Sequence, residues 1–208
     1  MPTPTIDSVI LEAPDAAATE SFYTTAFDLG DRLRVRTSQA PTTGFRGYVL
    51  SLVVAQPGNV DALFNAAVDS GATIIKPAKK SFWGYGGVLQ TPDGAIWKIA
   101  TSEKKDSKPV TRDVDSLVVL LGVEDVKATK QFYVEQGLGV AKSFGSKYVE
   151  FATGSSAIKL ALYTRRAAAK DAGVAPEGTG ARRFAISTSG PEFTDPDGLA
   201  WEASHIHA

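Results

Sequence analysis

Two short stretches place a charged side chain where chemistry could use it. Residues 91–98 (TPDGAIWK) and 195–202 (DPDGLAWE) each read as a tight turn followed by a strand. The Pro presets the first corner, the Asp bonds its own backbone, and the Gly takes the position that needs a positive φ. The strand that follows alternates, so the residue after each tryptophan is a polar side chain on an otherwise apolar segment. That residue is Lys98 in the first copy and Glu202 in the second. A lysine there can orient an anionic ligand or, if desolvated, serve as a base. A glutamate can act as a general base beside a bound carbonyl compound. The structural alternatives are a lysine that reaches the rim or pairs with a carboxylate, and a glutamate that pairs with Arg182 or Arg183.

A second group is aromatic. Phe82, Trp83 and Tyr85, set among glycines, together with Trp97 would make a flat lining for a planar ligand. Trp97 and Trp201 recur in both copies and suit core packing, whereas Trp83 and Tyr85 have no second copy and are the better ligand candidates. The glycines at 84, 86 and 87 precede a strand rather than a helix N-terminus, so they do not form a phosphate loop. His205 and His207 are the only histidines, at a spacing that could chelate a metal adventitiously.

The elements that must hold these residues follow from periodicity. In the first half, β-branched residues 5–12 predict a strand, and Asp15 caps a helix over 15–28 with Phe22 and Tyr23 on its apolar stripe. Strands follow at 32–36 and 48–54. Val60, Leu63, Phe64, Ala67 and Val68 mark an amphipathic helix over 59–70. A short strand at 73–75 and the Gly-rich approach 81–90 lead to the first repeated turn. Residues 102–112 are charged, contain a Pro and lack an apolar period, which predicts a linker. The second half restarts: a strand at 116–121, Asp125 as a cap, and a Phe132-Tyr133 pair matching Phe22-Tyr23. Further strands are expected at 147–151, 157–163 and 184–188, with a helical turn and loop across 165–180.

Composition narrows the function classes. The chain has 208 residues, 43% of them apolar, and 22 Lys and Arg balance 23 Asp and Glu for a net charge of −1. That balance offers no electrostatic excess for a nucleic-acid partner. With no cysteine there are no disulfides or thiolate sites, which fits a cytoplasmic location. No run approaches the roughly 18 apolar residues a membrane span needs, so no membrane partner is expected.

The order of elements, the Phe-Tyr pair on the first helix and the Pro-Asp-Gly-x-x-Trp-Glu ending resemble the vicinal oxygen chelate superfamily, which includes glyoxalases, bleomycin-resistance-type binding proteins and extradiol dioxygenases. The resemblance covers nearly the whole chain and implies an α+β fold of tandem βαβββ modules, whose curved mixed sheets enclose cups. It divides the chain into a first domain at 1–101, the linker at 102–112 and a second domain at 113–208. The first holds an incomplete module (5–36) and a complete one (45–100). The second holds a complete module (116–164) and a truncated one (183–204). Because the losses are complementary, the two chain ends are expected to pair into one composite module.

The resemblance also implies where metal ligands would stand: Ser8, a residue near Gly47 or Tyr48, and Lys98; then Ser116, a residue near Arg183, and Glu202, with Lys159 on a further strand. Only Glu202 is a ligand type, and an ammonium or guanidinium repels a cation, so no metal cofactor is expected. Lys98 and Glu202 remain as catalytic candidates at inward-facing positions, and Trp83, Tyr85, Arg46, Tyr48 and Arg183 as ligand-binding candidates. The first reading is a metal-independent protein that sequesters a small aromatic or amphipathic molecule in a cup, more readily a monomer than a dimer. The alternative is a superfamily lyase, isomerase or dioxygenase using a displaced divalent metal or a Glu202/Lys98 acid-base pair. A third is a structural protein whose cup is filled by its own side chains.

Overall fold

A computed structural model describes residues 4–204. In chain order the elements are β1 (Ile6–Ala13), α1 (Ala16–Ala26), β2 (Leu33–Thr37), β3 (Thr42–Gly44), β4 (Tyr48–Val53), α2 (Pro57–Asp69), β5 (Thr73–Ser81), β6 (Gly84–Gln90) and β7 (Ile96–Thr101). They continue with β8 (Ser116–Val123), α3 (Val126–Glu135), β9 (Gly139–Phe144), β10 (Tyr148–Ala152), β11 (Ile158–Thr164), α4 (Arg165–Ala172), β12 (Gly178–Gly180), β13 (Phe184–Thr188), β14 (Phe193–Thr194) and β15 (Ala200–Ala203). Helix starts are set locally: Asp15 accepts from the Ala18 amide, Asp125 from those of Lys127 and Ala128, and Thr164 from that of Ala167.

The strands form an eight-stranded sheet in the order β5-β6-β7-β4-β8-β11-β10-β9, a five-stranded sheet β14-β15-β13-β1-β2, and a small pair β12-β3. The pairing of the two chain ends expected from the complementary losses is present: β13 runs antiparallel to β1 with Val9 opposite Ile186. The two halves of the chain also join through β4 and β8, antiparallel, with Leu50 opposite Val119. Each pairing gives a partner to strand edges that would otherwise stay open.

Side chains alternate between two cores across the eight-stranded sheet. Leu50, Leu89 and Trp97 point into the larger core, which also takes Val9, Leu11 and Trp201 from the five-stranded sheet and the buried faces of α1, α2 and α3. Their neighbours Val49, Val88 and Ile96 point the other way, into a small core under α4. Each large apolar side chain so buried contributes about 1.5–3 kcal/mol.

Two segments differ from the periodicity, and the expected linker packs closely on its neighbour. The strand expected at 73–75 runs on to Ser81. Its Pro77 and lysines suit an edge strand, where a missing N–H costs nothing, and its pairing with β6 carries two register irregularities. Residues 165–172 form a full helix where a turn and loop were expected, closed by Gly173 at φ 82° in the left-handed region. Residues 102–112 lie along the start of α2: Gln56 accepts from the Ser107 and Lys108 amides, Asp106 from Gly58, and Asn59 from Thr111.

Candidate functional site

The cup face of β5, β6 and β7 is uncovered where side chains are small. Gly86 lies opposite Ala100, and between Val88 and the rim neither strand offers more than a methyl group. The space left there is a cavity of 440 Å³. Its charged lining comes from Lys76 and Lys79 on β5, Lys98 on β7 and Asp171 on α4, and the exposed Trp83 borders it. Register places the three lysines on one face, since Lys76 pairs with Val88, Lys79 with Gly86, and Val88 with Lys98.

Helix α4 lies over the rest of this cup. Its Ala168, Ala169 and Ala172 pack on Phe45, Val49, Val88 and Ile96. The end of α4 is pinned from the sheet: Lys98 Nζ donates to Asp171 Oδ2 at 3.0 Å. Lys76 Nζ reaches the Asp171 carbonyl at 2.5 Å and the Lys170 carbonyl at 3.3 Å, where a helix end is partially negative. Burial, with Asp171 nearby, pushes the Tyr163 hydroxyl up from its usual range.

The other candidates are dispersed. Trp83 is 83% exposed, in edge contact with Phe82 at 5.0 Å, and Lys104 stands over the Phe82 ring. Tyr85 borders the cavity but turns its hydroxyl to Asp61 of α2 at 2.7 Å, and that hydrogen bond pushes it up to about 12. Tyr48 is buried and stacked on Phe184 at 4.4 Å; burial raises its hydroxyl well above its usual range. Arg46 donates to the Asp93 carbonyl, and Arg183 holds the Ala40 carbonyl through two nitrogens. Glu202 lies on the face of the five-stranded sheet opposite to Trp201, where both its oxygens accept from Arg36 at 2.8 Å. Arg36 also donates to Glu12, and its hydrogen bonds to Glu202 are the main reason its guanidinium is raised. The partner of Glu202 is thus Arg36, not Arg182 or Arg183. Lys98 and Glu202 stand on different sheets, each with its own counter-ion.

Several functional-looking residues escaped the sequence reading. Lys76 and Lys79 lay in a run that reads as loop, and Asp171 in an Ala-rich stretch with no sign of its distant partner. Arg36 did carry a signal, the alternating Arg-Leu-Arg-Val-Arg that puts Arg34 and Arg36 on the polar face of a strand.

No protein-family model matches the sequence, and no curated protein does. Solved structures do. Glyoxalase I from Zea mays superposes with a TM-score of 0.61 at 14% identity, covering 96% of this chain and 91% of that one. A putative dioxygenase from Bacillus subtilis gives 0.55 at 13% identity, covering 88% of this chain and 69% of the other. The chain has the glyoxalase fold. At these identities the likeness is one of architecture, and the chemistry must be argued from side chains.

Tested against that fold's metal-binding positions, the donor set does not fit. Among the described residues no three His, Asp or Glu converge closely enough to hold a metal ion. The one carboxylate at a ligand position, Glu202, spends both oxygens on a guanidinium that also engages Glu12, so a fixed positive charge stands where a cation would be needed. Ser8, at the first-strand position, is buried with its hydroxyl unpartnered. His205 and His207 lie outside the described residues. No helix among the described residues is long and apolar enough to cross a membrane.

Proposed function

We propose that the protein binds a small amphipathic molecule with a flat apolar part, without a metal, in the cavity between β5–β7 and α4. The observation that carries this reading is the 440 Å³ space itself. It falls within the roughly 300–1,000 Å³ of small-molecule pockets. Its walls have the matching composition, an apolar floor at Val88 and Ala100, an aromatic rim at Trp83, and a few ammonium groups. Binding rather than turnover is the reading because the two candidate acid-base residues, Lys98 and Glu202, do not face one another and each is already neutralised.

The test uses the fluorescent dye N-phenylnaphthylamine, a flat apolar probe. Wild-type protein should bind one dye per chain, and treatment with EDTA should leave that binding unchanged. Ala100→Phe, which fills the cavity from a partly exposed position, should abolish binding without lowering the melting temperature. Dye binding by Ala100→Phe equal to wild type would sink the reading.

A further inference from the structure

The cavity carries three ammonium groups against a single carboxylate, and that carboxylate belongs to the chain itself. We infer that the ligand is an anion, a carboxylate or sulfonate on a flat apolar body, and that Asp171 occupies the anionic subsite in the empty protein. This rests on the cavity being the binding site.

The three lysines differ in how far they are committed. Lys76 is spent on the last carbonyls of α4, an arrangement an entering ligand need not disturb. Lys79 shares the cup face with Gly86 and makes no ion pair among the described residues. Among the described residues Lys98 is held only by Asp171, through one oxygen at 3.0 Å, with the two side chains 35% and 42% exposed. A single-point contact of this exposure is weak, because water and salt screen it and two side chains must be immobilised to make it. It is therefore readily exchanged for a ligand anion that meets both Lys98 and Lys79 while its apolar part covers Val88 and Ala100.

Asp171 has the chemistry of the group it would yield to. A carboxylate brought onto the Lys98 ammonium by the chain marks where an external carboxylate or sulfonate would sit. It also sets a threshold, since a neutral ligand gains nothing from displacing it. The helix that carries Asp171 does not depend on this contact: Thr164 caps it, Lys76 holds its end, and three alanines seat it on the sheet.

Two dyes with the same rings separate the possibilities: anilinonaphthalene sulfonate, which is anionic, and N-phenylnaphthylamine, which lacks the sulfonate. Asp171→Asn, nearly isosteric, should tighten the sulfonate dye roughly fivefold and leave the neutral dye unchanged. Lys98→Met, which leaves α4 intact, should weaken the sulfonate dye by a similar factor and again spare the neutral one. If Asp171→Asn leaves the sulfonate dye unaffected, or shifts both dyes equally, the anionic subsite is overturned while a neutral dye still excluded by Ala100→Phe keeps the cavity as the binding site. If neither dye binds wild type or Asp171→Asn, the cavity reading fails and this inference with it.

Discussion

Lys98 and Glu202 follow the two repeated tryptophans and occupy corresponding positions, yet their surroundings have diverged. Up to the tryptophan the two copies agree. Trp97 donates its indole N–H to the Tyr23 hydroxyl at 3.1 Å, and Trp201 donates to Tyr133 at 3.2 Å. Tyr23 in turn donates to Asp93 and Tyr133 to Asp195, each at 2.7 Å. One residue later, on the opposite face, the copies part. Glu202 meets a planar guanidinium with both oxygens, from β2 across β13 and β1 of the same sheet, and the geometry is fixed. Lys98 meets one oxygen of a residue on a helix laid over the cup, beside open space. The repeat holds where core packing enforces it and lapses one residue later, where it does not.

The shared part should be the more costly to break. Trp97→Ala and Trp201→Ala each remove a fully buried side chain, and each is expected to destabilise the fold by roughly 3–5 kcal/mol, read by urea unfolding. Equal losses would support the equivalence of the two copies; a loss confined to one would break it.

Removing the tyrosine hydroxyls comes next, at about 1–3 kcal/mol each. Tyr133→Phe should cost more, because Asp195 Oδ2 then has no donor, whereas Asp93 keeps the Thr91 hydroxyl at 2.7 Å. Burial already raises the Asp195 carboxyl, and the Tyr133 hydrogen bond counteracts that rise. A carboxyl raised in the folded state favours folding below its unfolded value near 3.8 and loses that advantage as pH rises through the folded one. Without the hydroxyl the folded value moves higher still, so the deficit of Tyr133→Phe should be larger at neutral pH than in acid. Equal deficits at both would count against a charged Asp195 in that core.

Much of this architecture was legible in the sequence, because it is local. Turn chemistry at 91–94 and 195–198, the Asp15 and Asp125 caps, and the Phe-Tyr pairs identify modules without knowledge of where they pack. The complementary losses at the two ends also predicted that β13 would find β1. The site was much less legible. Lys98 and Asp171 are 73 residues apart, and nothing in an Ala-rich stretch announces that it will lie across a cup. Tyr48, Arg46 and Arg183 looked like ligand groups because of where the resemblance placed them. In the structure Tyr48 stacks on Phe184 between the sheets, while both arginines hold backbone carbonyls. Those are long-range contacts that no periodicity encodes.

Between the two charged positions, Glu202 should matter more for stability. Arg36→Gln leaves Glu12 on β1 and Glu202 on β15, with β13 between them, without the cation that both engage. With Arg36 44% exposed, screening holds the loss to roughly 1 kcal/mol. Arg36→Lys should recover only part of it, since an ammonium cannot match a carboxylate with two parallel bonds. The deficit of Arg36→Gln should narrow when only the wild type has an attraction for salt to screen, as salt approaches about 1 M. A loss independent of salt would point to packing of the arginine stem instead.

The smallest stability effect belongs to Lys98. Its contact with Asp171 is made through one oxygen, both side chains are more than a third exposed, and α4 keeps its cap, its alanine seat and the Lys76 contact without it. Lys98→Met should therefore shift the unfolding free energy by less than about 0.5 kcal/mol. A loss as large as that of Arg36→Gln would mean that the lysine is structural and that the two positions differ only in the sign of their charge. A near-zero change, set against a measurable one at Arg36, would mean that a lysine stands in an open cup without stabilising it, which is the condition expected of a residue kept available for a ligand.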